Sequence, residues 1–355
     1  MSSLTQTIAY LQGAPGSAGV NASSAVLPDA TTAVYNRSLL KRSYPYLHHQ
    51  KFGTQYPLGM RSGQSMIFRR YEKLSQTTVP LTEGVTPDGT ALVKRDYVAT
   101  IKQYGNFMVI SDFVDMTHVD PLLQQGVELM GENMGESMDS VYREYLVAGT
   151  AVAFSGGTTR PTVDEGFYRP LVDTAIRVLR NNEAKTFAPM VPGSTRVASH
   201  PIGESYWAIC HPDVEHDIRT VATVTSGWTW GTDFIPIEQY SNHGGAMPSE
   251  IGKYRNVRFI TTTNSKIWTG SGAAVASTGL KSTGGNIDVY ATLIFGRDAY
   301  AVIPLQRGSG RTIMQKAGGP TDPLEQRNTV GWKSAGCALI TNDNWMYRIE
   351  HGITV

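Results

Sequence analysis

The clearest periodic signal in the chain lies between residues 121 and 148. Apolar residues stand at Leu123, Val127, Met130, Met134, Met138, Val141 and Tyr145, in steps of three and four, which line up on one face of an α-helix. Glu128, Glu132, Glu136, Asp139 and Arg143 take the other face. Asp120 is placed to cap the first turn, Pro121 suits the first helical position and Gly149 ends the run. At ~1.5 Å per residue the rod is roughly 42 Å long, over twice the mean helix of ~11–12 residues. Gly126, Gly131 and Gly135 interrupt it, each costing up to ~1 kcal/mol relative to alanine. A helix carrying that penalty is expected to need another backbone in close approach.

Upstream, alternation replaces the helical period. In Ser65–Leu74, Met66, Phe68 and Arg70 point one way and Ile67, Arg69 and Tyr71 the other. Ala91–Gly105 alternates through Asp96, Val98, Thr100 and Lys102. Residues 75–90 separate the two runs and carry Pro80, Gly84, Pro87 and Gly89, a connection far longer than a tight turn. Neither strand has a uniformly apolar face, and such a hairpin is marginally stable alone. It is expected to project and to lean on something outside its own domain.

Elsewhere the pattern predicts a helix over Leu171–Asn182, a strand at Tyr206–Cys210 feeding a turn and helix, a strand in VRFITTT, and strands from Ile287 to Leu305. The segments WKSAGCALI and WMYRIEH read as paired strands around a turn at Asn342–Asn344. Residues 224–250, with Trp228, Trp230, Gly244 and Gly245, and residues 270–286 are loop-rich. Residues 41–60 are aromatic and turn-rich and form an irregular strap packed on a surface. Residues 1–40 hold only two charges, Asp29 and Arg37, and show no sustained period. This segment is read as an arm that orders only against a partner.

Composition sharpens the picture. The 355 residues exceed a usual single domain, so two lobes or one domain with large insertions are expected. Charged residues are 17% of the chain, against roughly 25% in an average soluble protein, as expected where much of the surface does not face water. A net charge of +1 argues against a protein that coats nucleic acid. No run of ~18 apolar residues predicts a membrane span, and the first residues do not read as a secretory signal. Cys210 and Cys337 are expected to be small buried residues in a reducing compartment.

The search for catalytic chemistry ends on bland readings. No phosphate-binding glycine loop, dinucleotide fingerprint, nucleophile elbow or zinc-protease motif occurs. His211, Asp213, Glu215, His216 and Asp217 form the best metal candidate, but the two histidines are five apart and do not share a helical face; a helix start capped by Asp213 explains them better. His48 and His49 sit in the strap, and the helix glutamates read as a solvated or subunit-facing stripe. No catalytic, cofactor or metal residue is assigned. From Arg61 to Lys102 there are seven cations (Arg61, Arg69, Arg70, Lys73, Lys94, Arg95, Lys102) against four acids (Glu72, Glu83, Asp88, Asp96), an excess of +3. A contact between protein chains, with these charges setting register, is favoured over a solvated strand pair or a nucleic-acid hairpin.

The order of arm, projecting hairpin, long helix, mixed lobe and returning strands resembles the major capsid proteins of tailed bacteriophages, the HK-97 fold. At residue level, RRYEKLSQTTVPLTEGVTP, VATIKQYGNFMVISD and DPLLQQGVELMGENMGESMDS resemble the capsid family typified by the N-four podophage. So do YLVAGT, YWAICHPDVEHDIR, NVRFITTT, DVYATLIFGRDAY and TDPLEQRNTVGWK with WMYRIEH, so that the likeness spans about residues 39–351. The resemblance implies an α+β chain with an N-terminal arm at 1–40, a strap at 41–57 and an extended loop at 58–104 laid over the next subunit. It implies a peripheral domain at 105–165 containing the spine helix, an axial domain at 166–286, and a return to the peripheral domain at 287–355. The subunit-interface candidates in the extended loop are Arg69, Arg70, Lys73, Pro80, Glu83, Lys94 and Arg95.

The resemblance further implies a homo-oligomer of hexamers and pentamers forming an icosahedral shell around double-stranded DNA, assembled in the bacterial host cytoplasm, with no cofactor and no membrane. Scaffolding, if used, would come from a separate chain, since only about 40 residues precede the extended loop, and separate portal and decoration proteins would be further partners. Lysine–asparagine cross-links between subunits, as in the founding member of the fold, are not expected. The competing readings are an encapsulin-type cellular compartment and a two-lobe hydrolase using His211 or the helix carboxylates.

Overall fold

The computed structural model describes residues 39, 41–43, 47–59, 61–86, 89–117, 122–187, 203–219, 234–240, 246–275, 279–305, 310–315, 324 and 326–355. The arm before residue 39, the Asp120 cap with Pro121, and Trp228, Trp230, Gly244 and Gly245 lie outside the described residues. In chain order the elements begin with α1 (His48–Lys51), β1 (Thr54–Gln55), β2 (Ser65–Tyr71), β3 (Lys94–Thr100), β4 (Lys102–Ser111), α2 (Asp112–Thr117) and α3 (Leu122–Val147). Next come β5 (Val152–Phe154), α4 (Arg169–Asn181), β6 (Tyr206–Cys210), α5 (Asp213–Arg219), β7 (Phe234–Pro236), β8 (Glu250–Tyr254), β9 (Val257–Thr261) and β10 (Ile267–Trp268). The last are β11 (Ser282–Thr283), β12 (Asn286–Ile287), β13 (Val289–Phe295), β14 (Tyr300–Pro304), β15 (Arg311–Gln315), β16 (Arg327–Ile340) and β17 (Met346–His351).

The chain divides into two compact units: residues 1–47, 103–138 and 308–335 form one, and residues 48–102, 139–307 and 336–355 the other. In the first, β15 and β4 both pair with β16. One face of β4 sends Met108 and Ile110 towards Gly126 of α3. Val127, Met130, Met134 and Met138 are buried. Gly131 meets the expectation of close backbone approach: a Cβ there would lie 2.8 Å from the carbonyl oxygen of Leu39. Arg42 Nε donates to Glu132 Oε1 at 2.7 Å beside it.

The second unit is built on a sheet of order β5-β17-β13-β6-β9-β8-β7, with β10 also on β13. α4 packs Leu171, Val172, Ala175, Ile176 and Leu179 into a core with Tyr206, Ala208, Tyr254, Phe259 and Ile294. Burying each of the larger aliphatic side chains contributes about 1.5–3 kcal/mol. Successive strand residues face opposite ways, so Trp207 and Phe295 meet the strap instead: the Phe52 ring lies 5.2 Å from Trp207 and 5.5 Å from Phe295. β1 runs parallel to β14, and β14 pairs with residues 336–340 of β16.

Four expectations need correction. The run predicted as one strand from Ala91 to Gly105 breaks at Ile101: β3 pairs β2, while β4 pairs β16 and continues to Ser111. Ile101 is buried at the switch, and its N–H bonds the Gln64 carbonyl at 2.9 Å. WKSAGCALI and WMYRIEH do not pair with each other. A 3₁₀ turn at Asp343–Trp345 redirects the chain, and β17, buried along nearly its whole length, lies between β5 and β13. The buried stripe of α3 continues at Tyr142 and Leu146, not at Val141 and Tyr145, because steps of four wind slowly around a helix of 3.6 residues per turn. Asp139, assigned to the polar face, is fully buried.

The burial of Asp139 has a cause in the strap. His48 and His49 lie in the helical turn α1, and His49 presents both its backbone N–H (2.7 Å) and ring Nδ1 (2.8 Å) to the Asp139 carboxylate. Asn264 adds a bond at 3.0 Å, and the Tyr300 hydroxyl donates to the His49 carbonyl at 2.7 Å. Burial works to raise the Asp139 pKa, but His49 and Asn264 override it and hold the carboxyl below its ordinary value. The C-terminal end of α3 is tied by Arg348, which donates to the Val147 and Gly149 carbonyls and to Glu350 at 2.9 Å. Arg160 grips the same Glu350 in bidentate fashion at 2.7 and 2.8 Å.

Candidate assembly interface

The hairpin of β2 and β3 is antiparallel, with Phe68 opposite Tyr97, Arg69 opposite Asp96 and Arg70 opposite Arg95. Its burial alternates. Met66, Phe68, Arg70 and Tyr97 are half-buried and Ala99 is buried, whereas Ile67, Arg69, Tyr71 and Val98 are exposed. The covered face rests on its own unit: Tyr56 meets Phe68 edge-on at 5.2 Å. Beneath the hairpin remains a cleft of about 340 Å³, bounded by Tyr56, Phe68, Tyr97, Tyr300, Asn342 and Trp345 among others.

Each candidate cation has a partner within the chain. Arg69 Nε donates to Asp96 Oδ1 at 2.9 Å; that bond holds the Asp96 carboxyl below, and raises the guanidinium above, its ordinary value. Lys94 approaches Asp96 at 3.9 Å and Arg95 pairs with Glu72. Arg70 and Arg95 stand directly opposite, a repulsive arrangement in isolation. They diverge, with Arg70 Nη1 donating to Asn342 Oδ1 at 2.6 Å. Lys73 Nζ donates to Glu183 at 2.8 Å. Asn342 and Glu183 were not legible as hairpin contacts, since they lie 272 and 110 residues from their partners and carry no local signal.

Beyond Tyr71 the hairpin is an apolar tongue. Val79 is 75% exposed, Leu81 77% and Val85 63%, and Leu74, Leu92 and Val93 are exposed as well. Pro80 and Glu83 sit within it, both exposed, and no described residue bonds the Glu83 carboxylate. Exposed apolar stretches of this kind mark surfaces that meet another protein, a membrane or a ligand.

The first unit carries a second exposed apolar region. Gly105 and Gly331 lie side by side across β4 and β16: a Cβ on the former would meet the Trp332 carbonyl oxygen at 2.7 Å, and on the latter that of Asn106 at 2.9 Å. A cleft of about 460 Å³ adjoins this pairing, edged by Tyr104, Phe107, Ile313 and Lys333. Val109, Phe113 and Met116 continue the exposed apolar surface.

The residues of the candidate metal cluster are engaged structurally. Asp213 is a first-turn residue of α5, not its cap, and takes Lys281 Nζ at 3.0 Å. Glu215 pairs with Arg219 at 2.8 Å, and Asp217 accepts from Thr354. Among the described residues no group of three or more His, Cys, Asp or Glu could hold a metal ion. Burial pushes the Cys210 thiol up, away from the reactive thiolate.

The family model described as phage capsid protein matches residues 95–345. No curated protein matches the sequence. Among solved structures, the capsid of Ralstonia phage GP4 superposes with a TM-score of 0.61 at 15% identity, over 85% of this chain and 87% of that one. The capsid of cyanophage P-SCSP1u gives a TM-score of 0.53 at 13% identity, over 84% and 86%. The cyanophage Pam1 capsid gives 0.52 at 14%, over 88% and 92%. At such identities the likeness is one of fold.

Proposed function

The chain belongs to the phage capsid protein family and is a major capsid protein of α+β, HK-97-like fold, and from that premise we propose that hexamers and pentamers of it close into an icosahedral shell around a double-stranded DNA genome. The match over residues 95–345 carries this reading, and it favours the virion over an encapsulin-type compartment. The proposal takes residues 58–104 as the extended loop overlapping the next subunit. Residues 105–165 and 287–355 are taken as the peripheral domain, 166–286 as the axial domain and 1–40 as the arm. The finer kinship with N-four-type podophages, assembly in the bacterial cytoplasm, and separate scaffolding, portal and decoration proteins belong to the same proposal.

The mechanism is additive. The exposed tongue and the apolar regions of each copy are buried by neighbours, and closed symmetry multiplies modest pair energies into a stable shell. The interface set Arg69, Arg70, Lys73, Pro80, Glu83, Lys94 and Arg95 lies on this overlap. A net charge of +1 suits a container: affinity for DNA grows with each phosphate neutralised, and a strongly basic lining would hinder packaging and release. Electron microscopy of the purified protein tests the reading. Closed particles are expected; elution as monomer or dimer with no particles would overturn it.

A further inference from the structure

Arg70 differs from its neighbours Arg69, Lys73, Lys94 and Arg95. Arg69 and Lys94 share Asp96, Arg95 has Glu72 and Lys73 has Glu183, all carboxylates. The acceptor of Arg70 is the neutral amide of Asn342, at 2.6 Å. Asn342 is only 7% exposed, and its backbone N–H and carbonyl are bonded to Ala299 and Trp345, so its side chain is held in place by the turn that carries it. Among the described residues, the rest of the hairpin's attachment to its own unit includes the buried Ala99, the half-buried Met66 and Tyr97, the Tyr56–Phe68 edge contact and the Lys73–Glu183 pair with side chains 70% and 74% exposed, over an open cleft. A guanidinium binds a carboxylate, through two parallel charge-assisted bonds, more strongly than it binds an amide. A carboxylate that engages the Nη1 edge of Arg70 would therefore outcompete Asn342 for it.

We propose that the Arg70–Asn342 bond is an exchangeable latch, which parks the hairpin on its own subunit until a carboxylate of a second copy takes Arg70 during assembly. The proposal rests on the reading of the hairpin as an intersubunit overlap. It gives a neutral acceptor at residue 342 a purpose: an aspartate would hold the hairpin too firmly, and an apolar residue would not hold it.

Three substitutions separate the parts. Asn342→Asp, nearly isosteric, converts the latch into an ion pair. Asn342→Leu removes the latch but leaves Arg70 for the incoming carboxylate, and Arg70→Met removes both. Hydrogen–deuterium exchange over residues 65–71 and 94–100 in unassembled subunits reports latching, and light scattering gives the threshold concentration for shell formation. Asn342→Asp is expected to slow exchange and raise the threshold several-fold. Asn342→Leu is expected to speed exchange and lower the threshold, and Arg70→Met to speed exchange and raise it. Wild-type thresholds in both 342 variants, or a shift of both in one direction, would overturn the latch. An Arg70→Met chain that assembles like Asn342→Leu would overturn the carboxylate exchange. Should Asn342→Leu melt early, the Asp and Met variants still decide. Deleting residues 76–87 tests the underlying reading: if that chain assembles normally the overlap itself fails, whereas blocked assembly with unaltered 342 variants sinks the latch alone.

Discussion

Gly126 and Gly131 share one helix, yet the same substitution is expected to act on them in opposite directions. Replacing glycine by alanine inside a helix stabilises by about 1 kcal/mol when nothing else changes. At Gly126 the new Cβ would lie 3.1 Å from Met108 Sδ, the far end of a flexible side chain that can give by a few tenths of an ångström. At Gly131 it would lie 2.8 Å from the Leu39 carbonyl oxygen and 3.2 Å from Leu39 Cα and Arg42 Cβ, where ordinary contact begins at 3.4 Å. Leu39, fully buried, must then move outward by about half an ångström, carrying Arg42 away from Glu132. Overpacking of this kind costs about 1–3 kcal/mol, which outweighs the propensity gain. Gly126→Ala should therefore be neutral to stabilising, and Gly131→Ala destabilising by about 1 kcal/mol. The difference of about 2 kcal/mol corresponds to roughly 9 °C for a first unit of about 110 residues, at ~2.1 cal/mol/K of unfolding entropy per residue. Thermal unfolding of unassembled subunits measures it. Equal or higher melting temperature for Gly131→Ala would refute the argument that Leu39 needs this glycine.

Acid should weaken the unassembled subunit through His351. Its ring is fully buried, and burial lowers its pKa from 6.5 to about 4. Between those values the unfolded chain binds a proton that the native chain does not, so stability falls as pH drops. From pH 7 to pH 5 the loss is about 2 kcal/mol at ~1.4 kcal/mol per unit; a urea midpoint unchanged over that range would contradict it. Mature particles run on a denaturing gel should give a single band near 38.7 kDa, and a ladder of multiples would show covalent cross-links between subunits.

The structure shows which signals in a sequence are local. α3 was legible because its burial pattern repeats within a few residues, and α4 for the same reason. The glycine at 131 was legible as a cost that demanded a partner, although not which partner. The pairing of β17 was not legible. Its neighbours β5 and β13 are remote in sequence, and a run buried on both faces carries no mark of which strands flank it. Asp139 was misread because a carboxylate opposite an apolar stripe looks solvated until His49, 90 residues away, is brought against it.

The hairpin divides in the same way. Sequence alone determined that residues 65–74 and 91–105 alternate, that the long connection between them is rich in turn residues, and that from Arg61 to Lys102 seven cations accompany four acids. Those are properties of composition and period, which survive without a fold. Only the tertiary structure decided where the charges go. Four cations meet acids inside the chain and Arg70 meets an amide, leaving the apolar tongue with Glu83 as its unpaired described charge. Electrostatic pairing falls off within a few ångströms in water, so a charge's partner is set by which distant residues the fold carries to it, and no sequence pattern records that distance.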